Sequence, residues 1–216
     1  MSTSLPLTQH TLRAGMIGLG MIFEETYRPF FEQLHRQPLV DRSYGCVDVD
    51  LAAVASKTGS RAVRYQQSLA GKVARFASYA GDDAVGQLLK AGVNFACVAT
   101  PDDRHFEAAR QVLDAGVHLL IEKPSVLTLQ QLDELVALAD RRQVLAKVVY
   151  HKLLDPDHKR LRTFCQDGRL RHVNHGYCSL LEPKSIACGQ FAEWITGRNP
   201  RSEEHTSELQ SQFRIS

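Results

Sequence analysis

The chain has 216 residues, 44% of them hydrophobic and 23% charged, and its 26 basic and 24 acidic side chains leave a formal charge of +2. That is ordinary globular composition, with room for one large domain, or one average domain and part of another. Near-neutral charge gives no field for nucleic acid or an anionic membrane, and neither a membrane-length apolar run nor a basic-then-apolar leader pattern is present, so neither partner is expected.

Residues 13–20, RAGMIGLG, read as a strand running into a glycine turn. Phe23, Tyr27, Phe30 and Leu34 recur after it at helical spacing, and Pro29 predicts a late start or a kink. SYGCVDVD (43–50) is a second strand that ends on acids, and ARFASY (74–79) a third. A helix over 82–90 leads into the strand NFACVAT (94–100). The next helix starts at Asp102 or Asp103, stacks Phe106, Ala109 and Leu113 on one face and stops at Gly116. Then come the strand VHLLIE, a helix opened by the capping box Thr128-x-x-Gln131 with Leu132, Leu135, Val136 and Ala139 as its stripe, and the strand LAKVVY. Strands separated by helices of this length define β-α-β units and a parallel sheet, so residues 12–150 are expected to form an α/β, doubly wound Rossmann domain. Residues 155–168 read as a helix ended by Gly168, and 170–183 as a long strand, the start of an incomplete α+β domain over 151–200.

Ligands of such sheets bind at the carboxyl ends of the strands. Gly18-Leu19-Gly20 follows the first strand, and glycines there let backbone approach a pyrophosphate at a helix N-terminus. Phe23 stands where the third glycine of the full fingerprint would be. Asp48, read as the end of the second strand, is placed to accept both ribose hydroxyls of an adenosine and to repel a 2′-phosphate. Asp50 is at least as well placed to cap a following helix. Five bases (Lys57, Arg61, Arg64, Lys72 and Arg75) and no acid lie between Leu51 and Gly81; they fit either a solvated helix face or a 2′-phosphate. NAD is the expected cofactor on the strength of Asp48, with NADP left open.

Thr100-Pro101 ends the fourth strand at the same edge, and His105 lies one turn into the next helix. Glu122-Lys123-Pro124 ends the fifth. A lysine there can hydrogen-bond a substrate oxygen and stabilise developing charge, and Glu122 is placed to orient it. A mere surface ion pair, worth about 0–1 kcal/mol, is a poor reason to end a buried strand on two charges.

GLGMIF after the first strand, VATPDDRHFEAA, GVHLLIEKP and YHKLLDPDHKRLR together resemble the glucose–fructose oxidoreductase/inositol dehydrogenase (Gfo/Idh/MocA) family over roughly residues 12–200. The resemblance implies a Rossmann domain followed by an α/β domain with a large open sheet. It also implies hydride transfer between a nicotinamide and a sugar, cyclitol or related hydroxyl, in a homo-oligomer. Lys123 matches the catalytic lysine, and Gly18, Gly20, Met21, Ile22, Pro101, Glu122 and Pro124 lie around the cofactor. His151 and Lys152 fall near the nicotinamide and substrate. A nucleotide-binding redox sensor on the same fold is the rival, and Lys123 favours the enzyme.

His172, His175 and Cys178 invite a metal reading, but two histidines three apart on a strand face opposite sides of a sheet, so no metal is expected. The five cysteines are odd in number and lack a C-x-x-C pair, which predicts reduced thiols and a cytoplasmic setting. Finally, RSEEHTSELQS, which begins at Arg201, resembles the in-frame translation of a common sequencing adapter. Residues 201–216 are therefore expected to be a non-native tail, and the chain to bind its cofactor without turning over substrate, because the family's remaining site residues come later than Pro200.

Overall fold

A computed structural model describes residues 9–68, 72–177 and 179. The elements in order are β1 (Gln9–Ile17), a π-helical turn (Phe23–Tyr27) continuing into α1 (Arg28–Arg36), β2 (Leu39–Asp41), β3 (Gly45–Ser56) and α2 (Ser60–Ser68). They continue with β4 (Ala77–Ala80), α3 (Ala84–Lys90), β5 (Phe95–Val98), α4 (His105–Asp114), β6 (His118–Ile121), α5 (Leu129–Arg142) and β7 (Ala146–Val148). A 3-10 turn (His151–Leu154) and α6 (Pro156–Gln166) follow. The chain divides into two units between Val148 and Val149.

In the first unit β4, β3, β1, β5, β6 and β7 lie side by side and all parallel, the order of a doubly wound Rossmann sheet. The short β2 pairs antiparallel with the start of β3. Alternation along the strands sends side chains to two cores. Ile17, Ala55, Val98 and Ile121 face α3, α4 and α5, while Met16, Val54 and Cys97 face α1 and α2.

The second strand does not stop at the acids. β3 runs on to Ser56, and the register slips between Ala14 and Gly15 so that Ala52 is an extra residue on β3. Ala53, Val54 and Ala55 are buried, whereas the first half of β3, paired with the exposed Gln9–Arg13 half of β1, is a half-solvated ribbon. Asp48 and Asp50 belong to that ribbon, and the next helix starts ten residues after Asp50, at Ser60.

Local signals decide the helices, with two stripes displaced. The Arg28 amide donates to the Phe23 carbonyl five residues back, a π turn that precedes Pro29 in the first turn of α1. The extra residue moves the buried stripe to Phe23, Tyr27, Phe31 and Leu34, so Phe31 is 1% exposed and Phe30 43%. On α5 the buried residues are Leu135, Leu138 and Ala139, while Leu132 and Val136 stay exposed. The α5 cap forms as expected, Thr128 Oγ1 accepting from the Gln131 amide, although the Gln131 side chain reaches back to the Leu127 amide.

In the second unit Asp155 caps α6 by accepting from the Asp157 and His158 amides, and Pro156 occupies its first turn. The strand expected from residue 170 is not formed over 170–177; the Leu170 amide donates instead to Phe164 O at 2.9 Å, at the end of α6. His172 and His175 are exposed there, and no metal-competent group of His, Cys, Asp or Glu exists among the described residues. Cys178, 180–183 and the 201–216 tail lie outside the described residues. No described helix is long and apolar enough to cross a membrane.

Candidate functional site

The carboxyl edge of the sheet gathers four strand ends: the glycine turn after β1, Ser56 of β3, Thr100-Pro101 after β5 and Glu122-Lys123-Pro124 after β6. Backbone bonds lock them together. Gly18 N donates to Ala55 O at 2.9 Å, Ala99 N to Ile17 O at 2.9 Å, and Glu122 N to Val98 O at 2.9 Å. The strand order reverses between β1 and β5, the switch point where such sheets open a crevice.

Gly18 has φ +93°, and a Cβ there would run into the backbone carbonyl of Ala99, whose carbon would lie 2.7 Å away. Only glycine fits that turn. Gly20 differs, because a Cβ on it would meet only Arg61 Nη1, at 3.9 Å. Protein packing therefore does not demand a glycine at 20; close approach of a pyrophosphate would. Met21 and Ile22 open the helical segment that follows, half-buried. Thr100 Oγ1 is buried with no hydrogen-bond partner among the described residues, an orphaned polar atom at the same edge. The turn, the open Gly20 and this hydroxyl fit a dinucleotide.

The charged end of β6 has a structural answer. Glu122 is 8% exposed and accepts a 2.8 Å bond from the Tyr27 hydroxyl, which the π turn supplies from 95 residues away. Burial chiefly, and then the neighbouring Cys97 and Glu122, push the Tyr27 phenol far above its ordinary pKa, which keeps it a donor. Burial and Glu122 push the Cys97 thiol up to about 12. Glu122 is thus held by Tyr27, a partner no sequence spacing discloses. Lys123 follows, half-buried, and the Lys123–Pro124 peptide is cis.

Two sequence assignments change. His105 is 1% exposed, and its Nδ1 and Nε2 lie 2.7 Å from Pro124 O and 2.8 Å from Thr100 O. His105 is thus buried between the β5 and β6 ends, with each ring nitrogen directed at a backbone carbonyl and one of them the donor in the neutral tautomer. Asp48 pairs with Thr11 in the ribbon half of β3 and accepts from the Gln9 side chain at 2.7 Å. The β3 residue beside the glycine turn is Ser56, eight residues further on, so Asp48 is not at the cofactor edge. His151 belongs to the second unit, exposed on its 3-10 turn.

A Rossmann sheet with a glycine turn at its switch point defines a nucleotide-binding class of α/β proteins, and comparison with known proteins is specific. The model of the Gfo/Idh/MocA group, described as an oxidoreductase family with an NAD-binding Rossmann fold, matches residues 12–150, and the chain belongs to that family. It is 28% identical over 175 residues to the UDP-N-acetylglucosamine 3-dehydrogenase of Acidithiobacillus ferrooxidans, covering 81% of this chain and 48% of that protein. It is 28% identical over 172 residues to the D-glucoside 3-dehydrogenase of Escherichia coli, covering 77% of this chain and 42% of the other. The fold resembles that of a 3-ketoreductase from Actinomadura kijaniata solved with NADP and TDP-benzene, with a TM-score of 0.61, 23% identity and coverage of 81% and 49%. The chain spans about half the length of these relatives or less.

Proposed function

We propose that this chain is the dinucleotide-binding part of an oxidoreductase that interconverts a hydroxyl and a carbonyl on a sugar, cyclitol or related polyol. The observation that carries the reading is the buried Glu122, held by Tyr27, at the end of a strand whose next residue is Lys123. The dehydrogenases of sugars among the relatives support the substrate class. Bound along the glycine turn, a nicotinamide dinucleotide would supply or accept the hydride.

Gly18 and Gly20 let the backbone reach the pyrophosphate, and Thr100 Oγ1 offers a hydroxyl to the cofactor. Lys123 donates a hydrogen bond to the reacting oxygen and stabilises the negative charge that grows there as the hydroxyl loses its proton. Tyr27 and His105 are positioning residues: one holds Glu122, the other lies between the backbone after β5, at Thr100, and after β6, at Pro124. His105 is not assigned as the proton acceptor, because it is 1% exposed and its ring nitrogens are directed at protein backbone. A proton acceptor for the hydroxyl is also needed, and general base catalysis contributes roughly 10²–10⁴-fold. The chain is expected to bind dinucleotide.

Titration with NADPH and NADH, followed by cofactor fluorescence, tests the reading. Saturable binding lost in Gly18→Ala, in a variant still folded by circular dichroism, supports it. Absence of binding of either dinucleotide to the folded wild type overturns it.

A further inference from the structure

From the true end of β3 we infer that this site is built for a dinucleotide bearing a 2′-phosphate, NADP(H), with Ser56, Lys57 and Arg61 selecting it; the inference rests on the dinucleotide reading above. The residue at the tip of this strand meets the adenosine ribose. A carboxylate there accepts from both ribose hydroxyls and selects NAD, whereas a nearby arginine accommodates a 2′-phosphate. Register decides which residue holds that place. Ala55 pairs with Ile17 and its carbonyl accepts from Gly18, so Ser56 is the first residue past the glycine turn. No acid occurs from Leu51 to Gly81, so none stands at this tip or in the loop and helix after it.

The tip presents hydroxyls and bases in place of the missing acid. Ser56 Oγ accepts from the Gly59 amide at 3.1 Å, which folds 56–59 back over the end of the strand. Thr58 Oγ1 and Ser60 Oγ lie 3.0 Å apart in the same turn. Arg61, in the first turn of α2, donates from Nη1 to Leu19 O at 2.8 Å and so holds its guanidinium against the glycine turn itself. That tether uses one of the five N–H donors of the group, and a planar fork suits phosphate oxygens. Lys57, the exposed residue after Ser56, adds a second cation. A 2′-phosphate, dianionic or nearly so, meets two cations and two or three hydroxyls there. An unphosphorylated ribose would find only neutral hydroxyls where a carboxylate normally takes two charge-assisted bonds.

The test compares NADPH with NADH, and 2′,5′-ADP with 5′-ADP as competitors, on the intact chain at low and high salt. NADPH is expected to bind about tenfold tighter or more, since its added bonds are charge-assisted. The preference should shrink with salt. Lys57→Ala and Arg61→Ala are expected to lower the NADPH/NADH affinity ratio. Ser56→Asp, which installs the carboxylate at the tip, is expected to move it toward NADH. Equal affinities, or tighter NADH binding, in the wild type overturn this inference and leave the dinucleotide reading standing. If neither dinucleotide binds, both fall. A ratio that none of the three folded variants changes also overturns it, by showing that the preference arises elsewhere.

Discussion

Replacing Tyr27 by Phe deletes one oxygen and nothing else, and the structure says what that oxygen does. Its hydroxyl donates to Glu122 at 2.8 Å in a site where Tyr27 is 5% and Glu122 8% exposed. A hydrogen bond to a charged group contributes about 1.5–3 kcal/mol, and a buried acceptor left without it keeps its desolvation cost. For a unit of this size about 1 kcal/mol shifts the melting temperature by roughly 2–4 °C, so Tyr27→Phe should melt roughly 3–12 °C lower. The aromatic ring itself still fills its place between α1 and the sheet, which confines the loss to the polar term. Glu122→Gln should cost less in the Tyr27→Phe background than alone, giving a measurable coupling energy. Because Glu122 precedes Lys123, NADPH affinity should fall more than that of 2′,5′-ADP, which lacks the nicotinamide end. Differential scanning calorimetry and fluorescence titration read both effects. A melt within a degree of wild type, with unchanged affinity for NADPH, would refute the role given to Tyr27.

Three further outcomes are expected. The Cys97 thiol is raised to about 12 in the folded protein against about 8.5 when unfolded, so its contribution is complete below about pH 8.5 and is lost as pH rises toward 12. Thermal melts from pH 8 to 10 should therefore decline more steeply for wild type than for Cys97→Ala. Gly18→Ala should lose dinucleotide binding and several degrees of melting temperature, because both its φ of +93° and the Ala99 carbonyl oppose a Cβ. Asp48→Ala should leave both dinucleotide affinities unchanged in a titration, since Asp48 contacts Gln9 in the ribbon half of β3.

Much of the edge was readable from local chemistry. A glycine turn, a charged strand end and a Thr-Pro dipeptide are strings whose meaning depends on a few neighbours, and β1, β5 and β6 ended where those strings fell. β3 misled because its two halves obey different rules. Residues 45–50 pair in a half-solvated ribbon and show polar alternation, whereas 51–56 are enclosed in the parallel sheet and read as a plain apolar run. Two acids between those regimes look like an ending. The cluster of bases after Leu51 was the visible clue to the real strand tip, and it gained weight only once register placed Ser56 beside the glycine turn. The Phe30 error has a similar origin: one residue of π winding turns a helical stripe, and sequence spacing assumes uniform winding. The Tyr27–Glu122 bond joins residues 95 apart and left no local trace.

Amide hydrogen exchange with and without NADPH tests the central claim most directly, because it reports where the dinucleotide sits. Protection is expected at residues 18–22, 56–61, 99–100 and 122–123, and none at 45–50 around Asp48. Protection centred on 45–50, or spread evenly over the first unit, would contradict a site at the carboxyl edge of the sheet.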